Sequence, residues 1–115
     1  IDRYVFPDGE LLGVGTIVSS MQNHGLEPRH EENLREHYAM TCRDWGVNLD
    51  ANWEEVVAEV GLRRARVWQL YIAASRVGFD INNIQLHQML GVKLGPGGSS
   101  GMPLRPNFDR VPEYA

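Results

Sequence analysis

The chain has 115 residues, of which 43% are hydrophobic and 23% are charged, a balance typical of one compact soluble domain. Its formal net charge of −4 excludes a chain-wide attraction to nucleic acid, which requires a basic surface, so we expect no nucleic-acid partner. The single cysteine excludes an internal disulfide and a multi-cysteine zinc site and favours a cytoplasmic location, and no stretch is apolar for long enough to span a bilayer.

The first third of the chain predicts three short elements. A β-prone run at residues 4–6 ends at a Pro-Asp-Gly turn, because proline fixes φ and glycine accepts positive φ. Apolar residues at helical spacing predict a helix over residues 15–23. Pro28 and the charged residues that follow it favour an edge strand over residues 26–34. Because the sequence begins at Ile1 rather than methionine, we also expect a piece of a longer parent.

Three helices are predicted in the middle of the chain. Apolar residues three and four apart predict the first, over residues 34–49, with an inward stripe of Leu34, Tyr38, Thr41, Cys42, Trp45 and Leu49. Asn52 is a candidate cap for the second helix, with Glu55 completing a partial capping box. Gly61 marks a bend before a third helix over residues 62–78, whose inward side is Leu62, Ala65, Trp68, Tyr71, Ile72 and Ser75.

The composition changes abruptly after residue 94. Residues 84–94 alternate between two faces, which predicts a half-buried strand. The GPGGSSG stretch that follows buries too little apolar surface to offset its ordering entropy, so residues 95–115 are predicted to be a flexible Gly- and Pro-rich tail. The domain itself is therefore expected to span residues 1–94.

Individual reactive groups indicate little chemistry by themselves. The histidines at positions 24, 30, 37 and 87 lack the spacing of a metal site, so we predict no metal. Cys42 fits a small buried thiol better than a nucleophile, since nothing near it in sequence would activate it. Tyr38 fits the packed stripe of the first long helix by spacing alone.

The cluster of Arg63, Arg64 and Arg66 has two interpretations. It could contact phospholipid head groups, which attract clustered basic side chains. Alternatively, Glu59 lies four residues before Arg63, the spacing of an ordinary helix-stabilising pair, and this favours a solvated helix face.

Three ordered segments resemble one enzyme family. They are YVFPDGEL at residues 4–11, NLREHYAMTCRDW at 33–45 and VWQLYIAASRVGFDINNIQLHQMLGVK at 67–93. Together they are similar to the carboxy-terminal part of the cyclopropane-fatty-acyl-phospholipid synthase family, which includes the mycolic acid cyclopropane synthases. The chain departs from the family pattern at Leu12-Gly13 and at Cys42, so its pocket wall is expected to differ.

The resemblance implies an α/β fold, the carboxy-terminal portion of a Rossmann-like class I methyltransferase whose two strands pair antiparallel with the sheet edge. Its inserted helices, at about residues 34–78, would form a lid over an acyl pocket. The implied reaction transfers a methyl group from S-adenosylmethionine to the cis double bond of an unsaturated acyl chain in a phospholipid. No cofactor-binding residue is expected in this segment, because the family's glycine-rich loop is absent, and the chain alone is expected to be inactive.

The resemblance also implies a site and partners. It makes Tyr38 a ligand of a bicarbonate ion that accepts the proton, and it gives His37, Thr41 and Trp45 pocket or supporting roles. The expected partners are the amino-terminal remainder of the methyltransferase, a phospholipid contacted peripherally at the membrane, and a second copy of the chain. The product type, cyclopropane or methyl branch, stays open. The alternative function is a non-catalytic helical lid or interaction module derived from the family.

Overall fold

The computed structural model describes residues 11–109, and the strand and turn predicted at residues 4–9 lie outside this range. The described elements are, in chain order, α1 (Val14–Asn23), β1 (Glu27–Asn33), α2 (Arg35–Ala51), α3 (Trp53–Val60), α4 (Leu62–Asp80), β2 (His87–Val92) and a 3-10 turn at Pro96–Gly98. This mixture of helices and strands confirms the predicted α/β class and is consistent with the carboxy-terminal part of a methyltransferase fold.

The described residues form two compact units. The first, which we call the helical unit, contains residues 33–88 and therefore α2, α3 and α4. The second contains residues 13–32 and 89–109, with α1 and most of both strands. Strands β1 and β2 pair antiparallel with each other in a two-stranded sheet, which confirms the two predicted strands, while their pairing with the edge of a larger sheet stays a prediction.

The helix ends differ from the predicted caps. Asn52 occupies the predicted N-cap position of α3, but its side chain makes no capping hydrogen bond, and its amide instead donates to the Asn48 carbonyl at 2.8 Å. The predicted position was right and the predicted capping bond was wrong, because an asparagine side chain can also bond backward into the preceding turn. At the start of α2, the backbone N–H of Arg35 donates to Oδ1 of Asn33 at 3.0 Å. Gly61 separates α3 from α4 with φ of +84°, as the predicted bend requires.

The core of the helical unit lies where α2 meets α4. Ala39, Cys42 and Phe79 are buried there, and the half-buried side chains that pack against them are Tyr38, Ile72, Ile84 and Leu86. Two predicted inward residues were wrong, since Trp45 is 49% exposed and Leu62 is 46% exposed. The helix contact is narrower than the predicted stripe, so residues at its margin face solvent.

In the second unit, β2 does not show the predicted alternation. All of its residues except Gln88 are half-buried. One cause is α1, because a Cβ placed on Gly91 would lie 3.2 Å from Cε of Met21. After β2, the backbone N–H of Gly95 donates to the Ser99 carbonyl at 2.8 Å and closes the 3-10 turn. The flexibility expected for residues 95–115 stays a prediction.

Candidate functional site

Tyr38 lies in the first turns of α2 and is half-buried. Its ring centroid is 5.8 Å from that of Phe79, with the two ring planes tilted by 48°. A second aromatic ring, that of Trp45, lies edge-on to it at 6.5 Å. Tilted and edge-to-face pairs of this kind are favourable and restrict the ring orientation. Two side chains from different helices therefore hold the phenol of Tyr38 in one direction.

The hydroxyl group of Tyr38 stays available for a ligand. It makes no hydrogen bond to another described residue, and no buried side-chain oxygen or nitrogen in residues 11–109 lacks a partner. The hydroxyl therefore reaches the surface of the helical unit instead of being sealed in its core. A phenol hydroxyl can donate one hydrogen bond to an anion, which is the property that the predicted role requires.

The other predicted site residues are placed differently. Thr41 is half-buried, but its hydroxyl donates to the His37 carbonyl at 3.1 Å, so its hydrogen is used within α2. The His37 side chain is exposed on the helix surface. Trp45 contacts Tyr38 while keeping about half of its own surface exposed. The structure thus joins Tyr38 with Trp45, whereas Thr41 supports the helix backbone.

Sequence reasoning missed two residues near Tyr38. Phe79 forms one wall around the phenol, yet it lies just beyond the predicted end of its helix at residue 78. Arg35 donates hydrogen bonds to the Phe79 carbonyl and, at 3.0 Å, to the Asp80 carbonyl. Spacing within one helix could not reveal either contact, because both join residues more than 40 positions apart in sequence.

Cys42 is the buried thiol that the sequence predicted. Burial raises the pKa of the Cys42 thiol, so it stays protonated and unreactive at neutral pH. It contributes to a groove of about 490 Å³ between α2 and α4, together with Gly46 and Ile72, and the arginines Arg43 and Arg76 also line this groove. The predicted site residues do not line it, so the groove is distinct from the surroundings of Tyr38.

The resemblance implies two cofactors, S-adenosylmethionine and bicarbonate. S-adenosylmethionine in this fold class needs a glycine-rich turn between a strand and a helix, but β1 runs into α2 through Leu34 without a glycine. These residues therefore do not fit that cofactor. The Tyr38 hydroxyl could donate one hydrogen bond to an anion such as bicarbonate. No group of three or more potential metal ligands occurs in residues 11–109.

Among residues 11–109, no helix combines the length and the apolar content that a bilayer crossing requires.

Comparison with known proteins identifies close relatives. The profile of the mycolic acid cyclopropane synthetase family matches residues 1–89. A probable fatty acid methyltransferase of Mycobacterium tuberculosis is 60% identical over 105 residues, which are 91% of this chain and 25% of that protein. A probable fatty acid methyltransferase of Pseudomonas putida is 41% identical over 90% of this chain and 26% of its own length. The tuberculostearic acid methyltransferase of Mycobacterium tuberculosis is 32% identical over 84% of this chain and 23% of its own length. The chain thus spans about a quarter of the length of these relatives.

Proposed function

The chain belongs to the mycolic acid cyclopropane synthetase family, and on that premise we propose that it works within a longer S-adenosylmethionine-dependent methyltransferase that modifies fatty acyl chains. We call this longer polypeptide the full-length protein. The names of the relatives support the acyl substrate, and their greater length supports a cofactor site outside this segment. The proposed acceptor is the cis double bond of an unsaturated acyl chain in a phospholipid.

Within this function, we assign Tyr38 to the acyl site as a hydrogen-bond donor to bicarbonate. The observation that carries the assignment is a half-buried phenol whose ring is held by Phe79 and Trp45 while its hydroxyl has no partner among the described residues. Bicarbonate, when bound, supplies a base and a negative charge near the reacting carbon. Tyr38 would orient that anion, and an anion so held stabilises positive charge in a site from which water is excluded.

Replacing Tyr38 with phenylalanine in the full-length protein tests the assignment. The change removes one hydroxyl and keeps the ring contacts, so methyl transfer to an unsaturated phospholipid should fall by roughly 100-fold, as for loss of one donor to a developing charge. The bicarbonate concentration needed for half-maximal turnover should rise as well. Unchanged turnover would remove Tyr38 from the mechanism.

Tyr71→Phe is the matched control for this experiment. Tyr71 lies on α4, is half-buried like Tyr38, and packs against Trp68 at a centroid distance of 5.6 Å. Its replacement removes a phenol hydroxyl from another half-buried tyrosine of the same unit. Thermal unfolding of both variants separates lost stability from lost chemistry, because only Tyr38→Phe should lower turnover at equal stability.

The non-catalytic lid or interaction module is the second candidate. The observation in its favour is the set of exposed apolar side chains on the helical unit, such as Val47 and Val77, which an interaction module would present to a partner. Calorimetric titration of the full-length protein with S-adenosylmethionine distinguishes the two functions. Binding supports the methyltransferase, whereas a lack of binding by the folded protein supports the module.

A further inference from the structure

A patch of leucine and arginine side chains covers one face of the first half of α4. We call it the basic-apolar patch and define it as Leu62, Arg63, Arg66, Val67 and Leu70, which line a shallow depression of about 540 Å³. Successive positions are one or three residues apart, and at 3.6 residues per turn they cover one side of the helix. Leu62 is 46% exposed and Leu70 is 68% exposed.

The opposite side of α4 already forms the core of the helical unit. Ala65 and Phe79 are buried there, and Trp68 and Ile72 are half-buried. A helix that is apolar on two sides normally has both of them covered. Exposed leucines that are grouped, rather than scattered singly, indicate an interaction surface. The basic-apolar patch therefore needs an occupant.

The position of Arg66 is not explained by the stability of the helix. Glu59 and Arg63 have the spacing of a helical pair, although α3 ends at Val60 and α4 begins at Leu62, and Arg63 has an interaction partner of its own. The first turn of α4 contains no acidic residue, although the positive end of the helix dipole favours acids there. Arg66 forms no ion pair within the described residues.

The charge of the patch identifies the chemistry of its partner. The chain as a whole has a formal net charge of −4, so this local group of arginines would orient the protein toward an anionic surface. Arg64, which is exposed in the same turn, adds to the positive charge. Exposed leucines beside the arginines favour a partner that offers both phosphate groups and hydrocarbon, and a bilayer of anionic phospholipid has both.

We propose that the basic-apolar patch docks the full-length protein on an anionic phospholipid bilayer. The guanidinium groups contact lipid phosphates, and Leu62 and Leu70 enter the boundary between head groups and acyl chains. The inference rests on the proposed function in one respect, because an enzyme that modifies phospholipid acyl chains has to reach a bilayer. It goes beyond that function by assigning the contact to one face of α4.

Vesicle sedimentation of the full-length protein tests the docking. Wild-type protein should bind vesicles of phosphatidylglycerol and phosphatidylcholine more tightly than vesicles of phosphatidylcholine alone, and salt should weaken this binding. The double variant Arg63→Gln/Arg66→Gln should bind roughly 25-fold more weakly, about fivefold for each arginine. Leu70→Gln should weaken binding by about tenfold through lost apolar burial.

Matched control variants carry the same Arg→Gln and Leu→Gln substitutions at positions outside the basic-apolar patch. Arg76→Gln/Arg105→Gln removes two other exposed arginines, and Leu104→Gln alters a leucine that is 98% exposed. Both control variants should bind vesicles as the wild type does. Equal weakening in patch and control variants would overturn the proposal, and so would equal binding to neutral and anionic vesicles.

Chemical footprinting of the wild-type protein tests the docking without any substitution. The result therefore does not depend on whether the variants fold. Phenylglyoxal should modify Arg66 in solution, and anionic vesicles should protect it while leaving Arg105 reactive. If Arg66 is already protected without vesicles, other parts of the full-length protein cover the patch and the proposal fails.

An activity assay separates this proposal from the proposed function. With substrate dispersed as single molecules in detergent, Arg63→Gln/Arg66→Gln should keep wild-type methyl transfer, whereas Tyr38→Phe should lose it. Loss of transfer by the arginine variant under these conditions would place the patch in the acyl site and contradict docking. Absence of transfer by the wild type would contradict the function but leave the vesicle result to be judged separately.

Discussion

At the scale of single residues, Cys42 links burial to a measurable pH dependence. Its side chain is only 2% exposed, and this burial raises the pKa of the thiol in the folded state above that in the unfolded state. The folded chain therefore holds the proton more tightly. The resulting stability is fully present below the pKa of the unfolded thiol, about 8.5, and is lost as pH rises through the higher folded value.

Replacing Cys42 with alanine tests the predicted direction of this pH dependence. Urea unfolding of wild type and variant in the full-length protein between pH 7 and pH 10 should show that the wild type loses its stability advantage at the alkaline end. The difference between the two curves isolates the thiol from other groups that titrate in the same range. Parallel curves across the whole pH range would contradict the buried thiol, as would rapid reaction of Cys42 with a thiol reagent under native conditions.

At the scale of secondary-structure elements, Arg35 ties the start of α2 to the end of α4. Its guanidinium group is mostly buried and donates to the carbonyls of Phe79 and Asp80, where the helix end leaves carbonyl groups without partners. Arg35→Met keeps much of the apolar stem and should lower the free energy of unfolding by about 1.5 to 3 kcal/mol, the range for hydrogen bonds to a charged group.

The matched control for Arg35 is Arg43→Met on the same helix. Arg43 pairs with Asp44 at 3.1 Å, and both side chains are largely exposed. Exposed pairs contribute little because solvent screens them and both side chains lose freedom, so this variant should change stability by less than about 1 kcal/mol. Equal losses for the two variants in urea unfolding would show that Arg35 does not connect the helices.

Two glycines within helices give a second prediction at this scale. A Cβ on Gly46 of α2 would lie 3.7 Å from Cγ2 of Ile72, an ordinary contact, so Gly46→Ala should stabilise the helix by about 1 kcal/mol. A Cβ on Gly78 of α4 would lie 3.1 Å from Cγ1 of Ile84, which would have to move. Gly78→Ala should therefore be less stable than Gly46→Ala in thermal unfolding, and an equal gain would contradict the close packing at Gly78.

Helical periodicity predicted the positions of all four described helices, because apolar residues three and four apart follow directly from helix geometry. It also placed Tyr38 and Trp45 on one face, where the structure shows them in contact. It could not predict that Phe79 completes the surroundings of Tyr38, since this contact depends on how α4 packs against α2. The capping bond predicted at Asn52 failed for a local reason, because two hydrogen bonds competed for one side chain.

At the scale of the whole molecule, the described residues bury few apolar side chains and expose many. Only four apolar side chains in residues 11–109 are buried, namely Ala39, Cys42, Ala65 and Phe79. Exposed apolar residues occur in both units, among them Val47, Val77, Ile81 and Phe108. A two-stranded sheet, moreover, leaves the outer edge of each strand without backbone partners in the described residues. Surfaces of this kind are normally covered by other parts of a protein.

Residues 1–115 expressed alone should therefore associate. In size-exclusion chromatography the isolated chain is expected to elute above its monomer mass of 13.0 kDa and to bind a dye that reports exposed apolar surface. Adding the remaining part of the full-length protein as a separate polypeptide should suppress both effects, because that part would cover the same surfaces and strand edges. The intact full-length protein is the control and should bind little dye. A strictly monomeric, cooperatively unfolding chain that binds no dye would show that residues 1–115 bury their own surfaces and need no other polypeptide to complete them.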